Sequence, residues 1–148
     1  MYDLYISKKD KNFLNILKLK FMSENKKNIL LAEDDRFISK AYKAGLEKAG
    51  FEVIPAYDGV EALKKIKEKE PDLVLLDIVM PEKNGFEVLE EMKMNKGMKN
   101  IPVVIISNLG QESDIKKGKE LGVLDYLVKT DHSMKEVVEK VKYCLSKK

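Results

Sequence analysis

The feature that most constrains this chain is an alternation of two hydrophobic periods that runs from Asn28 to its end. Asn28–Ala32 (NILLA), Leu73–Leu76 (LVLL) and Val103–Ile106 (VVII) are short, continuous apolar runs. Runs of that kind are the mark of strands buried on both faces rather than one. Phe51–Ala56 and Asp125–Val128 complete a set of five strands, and Pro55, which has no N–H to donate, assigns the second strand to an edge. Between and after these runs the apolar residues recur at helical spacing: Arg36–Ala49, Val60–Lys69, Phe86–Met94, Gln111–Leu121 and Ser133–Leu145. Gly50 stops the first of these helices, and Ser133 with Glu136 forms a capping box for the last. Asp58-Gly59 would suit a hairpin turn, but the helical period that follows makes it a strand-to-helix connection. No proline falls inside a helix. Five strands alternating with five helices imply an α/β fold, a doubly wound parallel sheet with helices on both faces.

A chain of 148 residues suits one domain spanning residues 28–148, with 44% hydrophobic and 36% charged residues excluding a disordered chain. The net charge of +3 is a small difference between 28 basic and 25 acidic residues and does not argue for nucleic acid. The single cysteine, Cys144, excludes an internal disulfide and a multi-cysteine metal site, and suits a reducing, cytoplasmic setting as a small apolar residue on the last helix. No stretch reaches the roughly 18 apolar residues of a membrane span. Residues 1–27 differ in character. Their apolar segment is broken by Lys18 and Lys20 and lacks a small-residue cleavage site, which excludes a signal peptide. The segment reads as an extension without fixed structure, or as residues before a true start at Met22. Phe13, Ile16 and Leu17 among lysines offer the other reading, a weak basic amphipathic helix.

In a doubly wound sheet ligands bind beyond the carboxyl ends of the strands, so those positions carry the functional question. Glu33, Asp34 and Asp35 follow the first strand and Asp77 the third; Ser107-Asn108 follow the fourth and Lys129-Thr130 the fifth. A single aspartate there is usually a helix cap or turn residue. Together these groups form a chemical unit. Converging carboxylates repel, and one of them takes up a proton unless a cation intervenes. An oxygen-only set with no His or Cys cluster suits Mg²⁺ rather than zinc. Lys129 supplies a compact charge for a phosphoryl oxygen and Ser107 a hydroxyl donor. Metal, lysine and hydroxyl around one carboxylate make a site for in-line phosphoryl transfer, with an Asp77 oxygen as nucleophile and an acyl phosphate as product.

The acidic pair in NILLAEDD, the segment LVLLDIVMPEKNGFEVL, the strand IPVVIISN and DYLVKT resemble, in that order, the response-regulator receiver family, the partners of sensor histidine kinases. The gaps fit the family as well: 43 residues from Asp34 to Asp77, 30 more to Ser107 and 22 to Lys129. The resemblance implies the flavodoxin-like strand order 2-1-3-4-5. It implies Asp77 as phosphorylation site, and Mg²⁺ held by Asp34 directly, by Glu33 through water, by Asp77 and by the backbone carbonyl of Val79. It gives Lys129 the phosphoryl oxygens, and makes Ser107 the switch hydroxyl and Tyr126 the aromatic that turns inward when Ser107 moves. Asp35, one position beyond the pair, reads equally as a helix N-cap.

Two positions depart from the family pattern. Thr130 stands where proline, often in a cis bond, is usual. A non-proline cis bond costs roughly 2.5–4 kcal/mol, so a trans bond or a reshaped loop is expected. Asn108 replaces the small residue that usually follows the switch hydroxyl. Val79 and Leu109 occupy the positions that tune dephosphorylation, and neither can orient a water, which implies a long-lived phosphoryl state. His132 reads as a solvated loop residue. The resulting expectation is a stand-alone, chemotaxis-type cytoplasmic regulator rather than an enzyme on other substrates. It takes its phosphoryl group from a histidine kinase or phosphotransfer protein and has no membrane span. With no DNA-binding output domain, it signals to a downstream protein through the surface around the fourth strand, Gln111–Leu121 and the fifth strand. A constitutive adaptor that is never phosphorylated is the alternative among binding modules. A phosphoaspartyl hydrolase is the alternative among enzymes, disfavoured because Val79 stands where its second carboxylate would be.

Overall fold

The computed structural model describes residues 7–147. Five parallel strands form one sheet: β1 (Asn28–Ala32), β2 (Glu52–Ala56), β3 (Leu73–Leu76), β4 (Val103–Ser107) and β5 (Asp125–Val128). Their order is β2-β1-β3-β4-β5, as the family resemblance implied. Helix α1 (Lys8–Glu24) precedes the sheet. The connecting helices are α2 (Arg36–Lys48), α3 (Gly59–Lys69), α4 (Gly85–Met94) and α5 (Glu112–Glu120), and α6 (Met134–Ser146) follows β5. From β1 onward the element ends differ from the sequence expectation by one residue at most.

Each strand feeds two cores because its side chains alternate in direction. Ile29 and Leu31 of β1, with Leu73 and Leu75 of β3, face Leu46 of α2 and Val137 and Val141 of α6. Leu30, Val74 and Leu76 point the other way, onto Ala62 and Ile66 of α3 and Val88 and Leu89 of α4. This two-sided demand is why the strands read as unbroken apolar runs, and each fully buried Leu or Ile contributes about 1.5–3 kcal/mol. Cys144 is buried in the α2/α6 core, the place its apolar reading assigned. Pro55 sits on edge strand β2 opposite Leu31, and its carbonyl accepts from Lys65 Nζ at 2.6 Å.

Four of the five helices after β1 start on a side-chain cap: Asp35 for α2, Asp58 for α3, Asn84 for α4 and Ser133 for α6. These caps fix where each chain leaves the carboxyl end of its strand, which is where the polar groups gather. The leading segment departs from the reading without fixed structure: Lys8–Glu24 is a helix, capped by Ser7 and Asn25, and none of its side chains is buried. Residues 1–6 of that segment lie outside the described residues. Among the described residues no helix is long and apolar enough to cross a membrane.

Candidate functional site

The polar residues picked out at the strand ends are brought together by backbone hydrogen bonds that extend the sheet by one residue. Glu33 N–H donates to Ala56 C=O at 3.0 Å and Asp77 N–H to Ala32 C=O at 2.9 Å, so both acidic side chains start from ladder positions. Gly85 then allows the chain after Asp77 to turn back tightly. Its N–H donates to Ile78 C=O at 2.8 Å, and a Cβ there would stand 2.4 Å from the Asp77 carbonyl oxygen. No residue but glycine fits beneath the aspartate.

Glu33 and Asp77 are almost wholly buried, with exposures of 3% and 4%, and Ser107 is fully buried as the last residue of β4. Lys129 follows β5 in a short 3₁₀ turn, Lys129–Asp131. Its ammonium lies 2.7 Å from Asp77 Oδ2 and 2.9 Å from Glu33 Oε2. One cation thus bridges two carboxylates in a dry pocket. Every peptide bond among the described residues is trans, the Lys129–Thr130 bond included, and Thr130 is exposed.

The protonation pattern follows from that crowding. Burial, reinforced by a hydrogen bond to Asp77, pushes Glu33 up to about 8. Burial also acts to raise Asp77, but the Glu33 hydrogen bond, the Lys129 ammonium and the Ser107 hydroxyl outweigh it and hold Asp77 below the usual aspartate value. Burial pulls Lys129 down, yet Asp77 and Glu33 keep it above the ordinary lysine value. Physically, two carboxyl groups this close in a buried site do not ionise equally well: Glu33 resists ionisation, and Asp77 beside the Lys129 ammonium favours it. An ionised, desolvated carboxylate is a competent nucleophile.

Oxygens of Glu33, Asp34 and Asp77 lie within 4.8 Å of one another, with Asp34 exposed at the rim. An all-oxygen donor set with one solvent-facing member fits a hard divalent cation that keeps part of its water shell. The upward push on Glu33 reflects the cost of crowding buried carboxylates, which such a cation would offset. Asp35 is engaged elsewhere: its carboxylate accepts from Phe37 N–H at 2.9 Å and Ile38 N–H at 3.0 Å, which is the cap reading. The Val79 side chain is exposed, and its N–H donates to Asp77 Oδ1 at 3.2 Å.

Ser107 and Tyr126 meet through a backbone that side-chain reasoning missed. Ser107 Oγ accepts from Leu109 N–H at 3.3 Å, and the Tyr126 hydroxyl donates to Leu109 C=O at 2.5 Å. Tyr126 is already inside, 7% exposed, and burial pushes its hydroxyl up to about 12. The side chain of Leu109 carries no signal for this double contact, because the contact uses only its peptide groups. His132, read from the sequence as solvated, is half-buried in the turn before α6, its Nδ1 3.5 Å from a carboxylate oxygen of Glu136.

Residues 29–142 match the response regulator receiver domain. The chain belongs to that family. Curated relatives include the alkaline phosphatase synthesis transcriptional regulatory protein PhoP of Bacillus subtilis, 38% identical over 80% of this chain and 48% of that protein. The probable transcriptional regulator ycf27 of Cyanophora paradoxa is 36% identical over 84% of this chain and 50% of its own length. The receiver therefore spans about half the length of the curated relatives it matches. Among solved structures, the Francisella response regulator 1452 receiver domain superposes with a TM-score of 0.76 at 30% identity, covering 82% of this chain and 98% of that one. Vibrio cholerae chemotaxis protein CheY4 does so with a TM-score of 0.74 at 26% identity, covering 80% and 98%.

Proposed function

We propose that this receiver accepts a phosphoryl group on Asp77 from the phosphohistidine of a sensor histidine kinase or phosphotransfer protein, and that the modification switches a partner-binding surface. The observation that carries the reading is the bridge from the Lys129 ammonium to both Asp77 and Glu33 in a buried site at the strand ends. A buried cation on the nucleophile keeps it ionised and stands ready for the charge of an incoming phosphoryl group. An Asp77 oxygen attacks phosphorus in line, the bond from phosphorus to the donor imidazole breaks, and the leaving nitrogen takes a proton. Glu33, Asp34, Asp77 and the Val79 carbonyl would hold Mg²⁺, which supplies charge neutralisation at the phosphoryl oxygens when bound. Lys129 then has a phosphoryl oxygen as partner. Ser107, buried beside Asp77, donates to another, and that pull acts on the Leu109 backbone that Ser107 and Tyr126 both grip. The surface of β4, α5 and β5 changes as a population shift biased by local charge.

The receiver catalyses only its own phosphorylation and dephosphorylation in this reading, works in the cytoplasm beside its kinase, and passes its signal to a separate protein. An immunoblot of the source cells should then show a band near 17.0 kDa; a single band about twice that size would refute the stand-alone part.

The central test is intact-mass measurement after incubation with Mg²⁺ and acetyl phosphate. One added phosphoryl group, absent in Asp77→Ala and after chelation of Mg²⁺, is the expected result. No adduct would favour a constitutive adaptor, and sustained turnover of the donor would favour a hydrolase.

A further inference from the structure

Among the described residues, helix α1 is the one element that the receiver fold does not use. Its seven large apolar side chains are between 45% and 67% exposed, and none of its residues is buried. Phe13, Leu14, Ile16, Leu17 and Phe21 share one side at helical spacing, interrupted by Lys9 and Lys20, while Lys8, Lys11, Asn15 and Lys18 recur along the opposite side together with Leu19 and Met22. Ser7 to Lys27 holds seven lysines and two acidic residues, a net +5, whereas the chain from Asn28 on has 21 basic and 22 acidic residues. The charge of the protein is therefore concentrated on this helix and its tether.

We infer that α1 is a membrane-surface helix that lays its Phe13–Phe21 face into a bilayer rich in anionic lipid. The charge selects among the candidate occupants. Two copies of the helix would bring +5 against +5, and the near-neutral receiver offers no complementary field. Nucleic acid would answer the lysines but leave the aromatic and aliphatic side in water. An anionic bilayer answers both: acyl chains cover the apolar side and headgroups receive the ammonium groups. Lys20, which falls inside the apolar stripe, reaches the headgroups along its own methylene stem.

The connection to the receiver suits this placement. The Asn25 side-chain amide donates to Phe21 C=O at 2.7 Å and ends the helix, and only Asn25–Lys27 separate it from β1. Lys27 C=O accepts from Glu52 N–H at 2.9 Å, so the tether is tied into the sheet edge. It enters at the amino end of β1, while Asp77 lies beyond the carboxyl end of β3, about 16 Å away along a five-residue strand. A bilayer at the tether leaves the candidate phosphorylation site open to a kinase.

The test is co-sedimentation of the full chain with vesicles of phosphatidylcholine, with and without phosphatidylglycerol. Binding to the anionic vesicles should be at least about tenfold tighter than to the neutral ones and should weaken as salt rises. Phe13→Ala/Phe21→Ala, which keeps helix-forming residues, should weaken it at least about tenfold. Lys11→Gln/Lys18→Gln should weaken it about 25-fold, since each lysine near such a surface is worth roughly fivefold. Acetyl phosphate labelling of Asp77 should be unchanged in both variants. Equal partition to both vesicle types, or binding indifferent to the Phe13/Phe21 change, overturns the inference. So does a dimer by light scattering that this change abolishes, or a preference for duplex DNA over anionic vesicles.

Discussion

Replacing Lys129 with methionine removes the cation that bridges Glu33 and Asp77 and leaves two largely buried carboxyl groups side by side. Two charge-assisted hydrogen bonds, at 2.7 and 2.9 Å, are lost together. Breaking a buried ion pair from one side costs about 3–5 kcal/mol, because the remaining charge is uncompensated. The site can soften that loss by taking up a proton, and Glu33, already raised from 4.5 to about 8, shows how readily it does so. A raised folded-state pKa adds stability that is complete below the unfolded value and disappears as pH climbs through the folded value. In wild-type protein Glu33 therefore makes stability fall as pH rises toward and through 8. Without Lys129, Asp77 also loses a contact that holds its pKa down, and its folded value rises in turn. The variant should then be about 3 kcal/mol less stable than wild type at pH 8 but only about 1 kcal/mol less stable at pH 6, a widening within the limit of about 1.4 kcal/mol per pH unit for one proton. Urea unfolding followed by circular dichroism, with chelator present at both pH values, measures the two differences. A deficit that is equal at pH 6 and pH 8, or smaller at pH 8, would show that Lys129 does not serve as the counter-charge of a dry carboxyl pair.

Glu33→Gln should be at least as stable as wild type at pH 8 in chelator, because it removes a buried carboxyl whose ionisation costs stability there, but it should lose most of the rise in Tm that Mg²⁺ is expected to give wild type. Thermal melts with and without the metal check both halves. Gly85→Ala should lower stability by at least about 3 kcal/mol and abolish acetyl phosphate labelling, since its Cβ meets the backbone of Asp77 and Ile78 rather than a yielding side-chain tip. A Gly85→Ala protein that labels normally would show that the turn can shift. With apolar Val79 and Leu109 at its mouth, the phosphorylated protein should outlast the corresponding Val79→Asn variant in Mg²⁺ by several-fold, measured as decay of the intact mass adduct. A wild-type half-life of only seconds would sink that expectation.

Much of this molecule was legible because burial and charge leave marks in side-chain type. NILLA and LVLL read as two-sided strands since no polar residue could sit on either face, and Pro55 read as an edge because it lacks a donor. Glu33, Asp77, Ser107 and Lys129 were legible as a group through their common position after strands. Features carried by the backbone were not. The grip on Leu109 uses an N–H and a C=O that every residue but proline offers, and the space that requires Gly85 exists only once β3 and the following turn are in place. The upward push on Glu33 needs a depth of burial that strand ends do not announce.

The same contrast explains where a switch can reside. Helices α2, α3, α4 and α6 each begin on a side-chain cap and bury several residues. Helix α5 begins at Gln111 with no side-chain cap, buries only Gly118, and is polar nearly throughout. A missing cap alone removes about 0.5–2 kcal/mol, and a glycine in a helix interior roughly another 1 kcal/mol. Helix α5 is thus the connecting helix least held by its own sequence, and it lies between Ser107 and Tyr126. What anchors it is tertiary: Ile115 against the core, Lys117 over the Phe86 ring at 4.5 Å, and the Leu109 link at its entrance. In the proposed switch, a phosphoryl group that drew on Ser107 would act on that link, and a helix with so little independent stability could move when a few kcal/mol changed at its entrance. In that reading the charged site is built from the ends of four strands, while the readout would fall to the one connecting helix that lacks a side-chain cap.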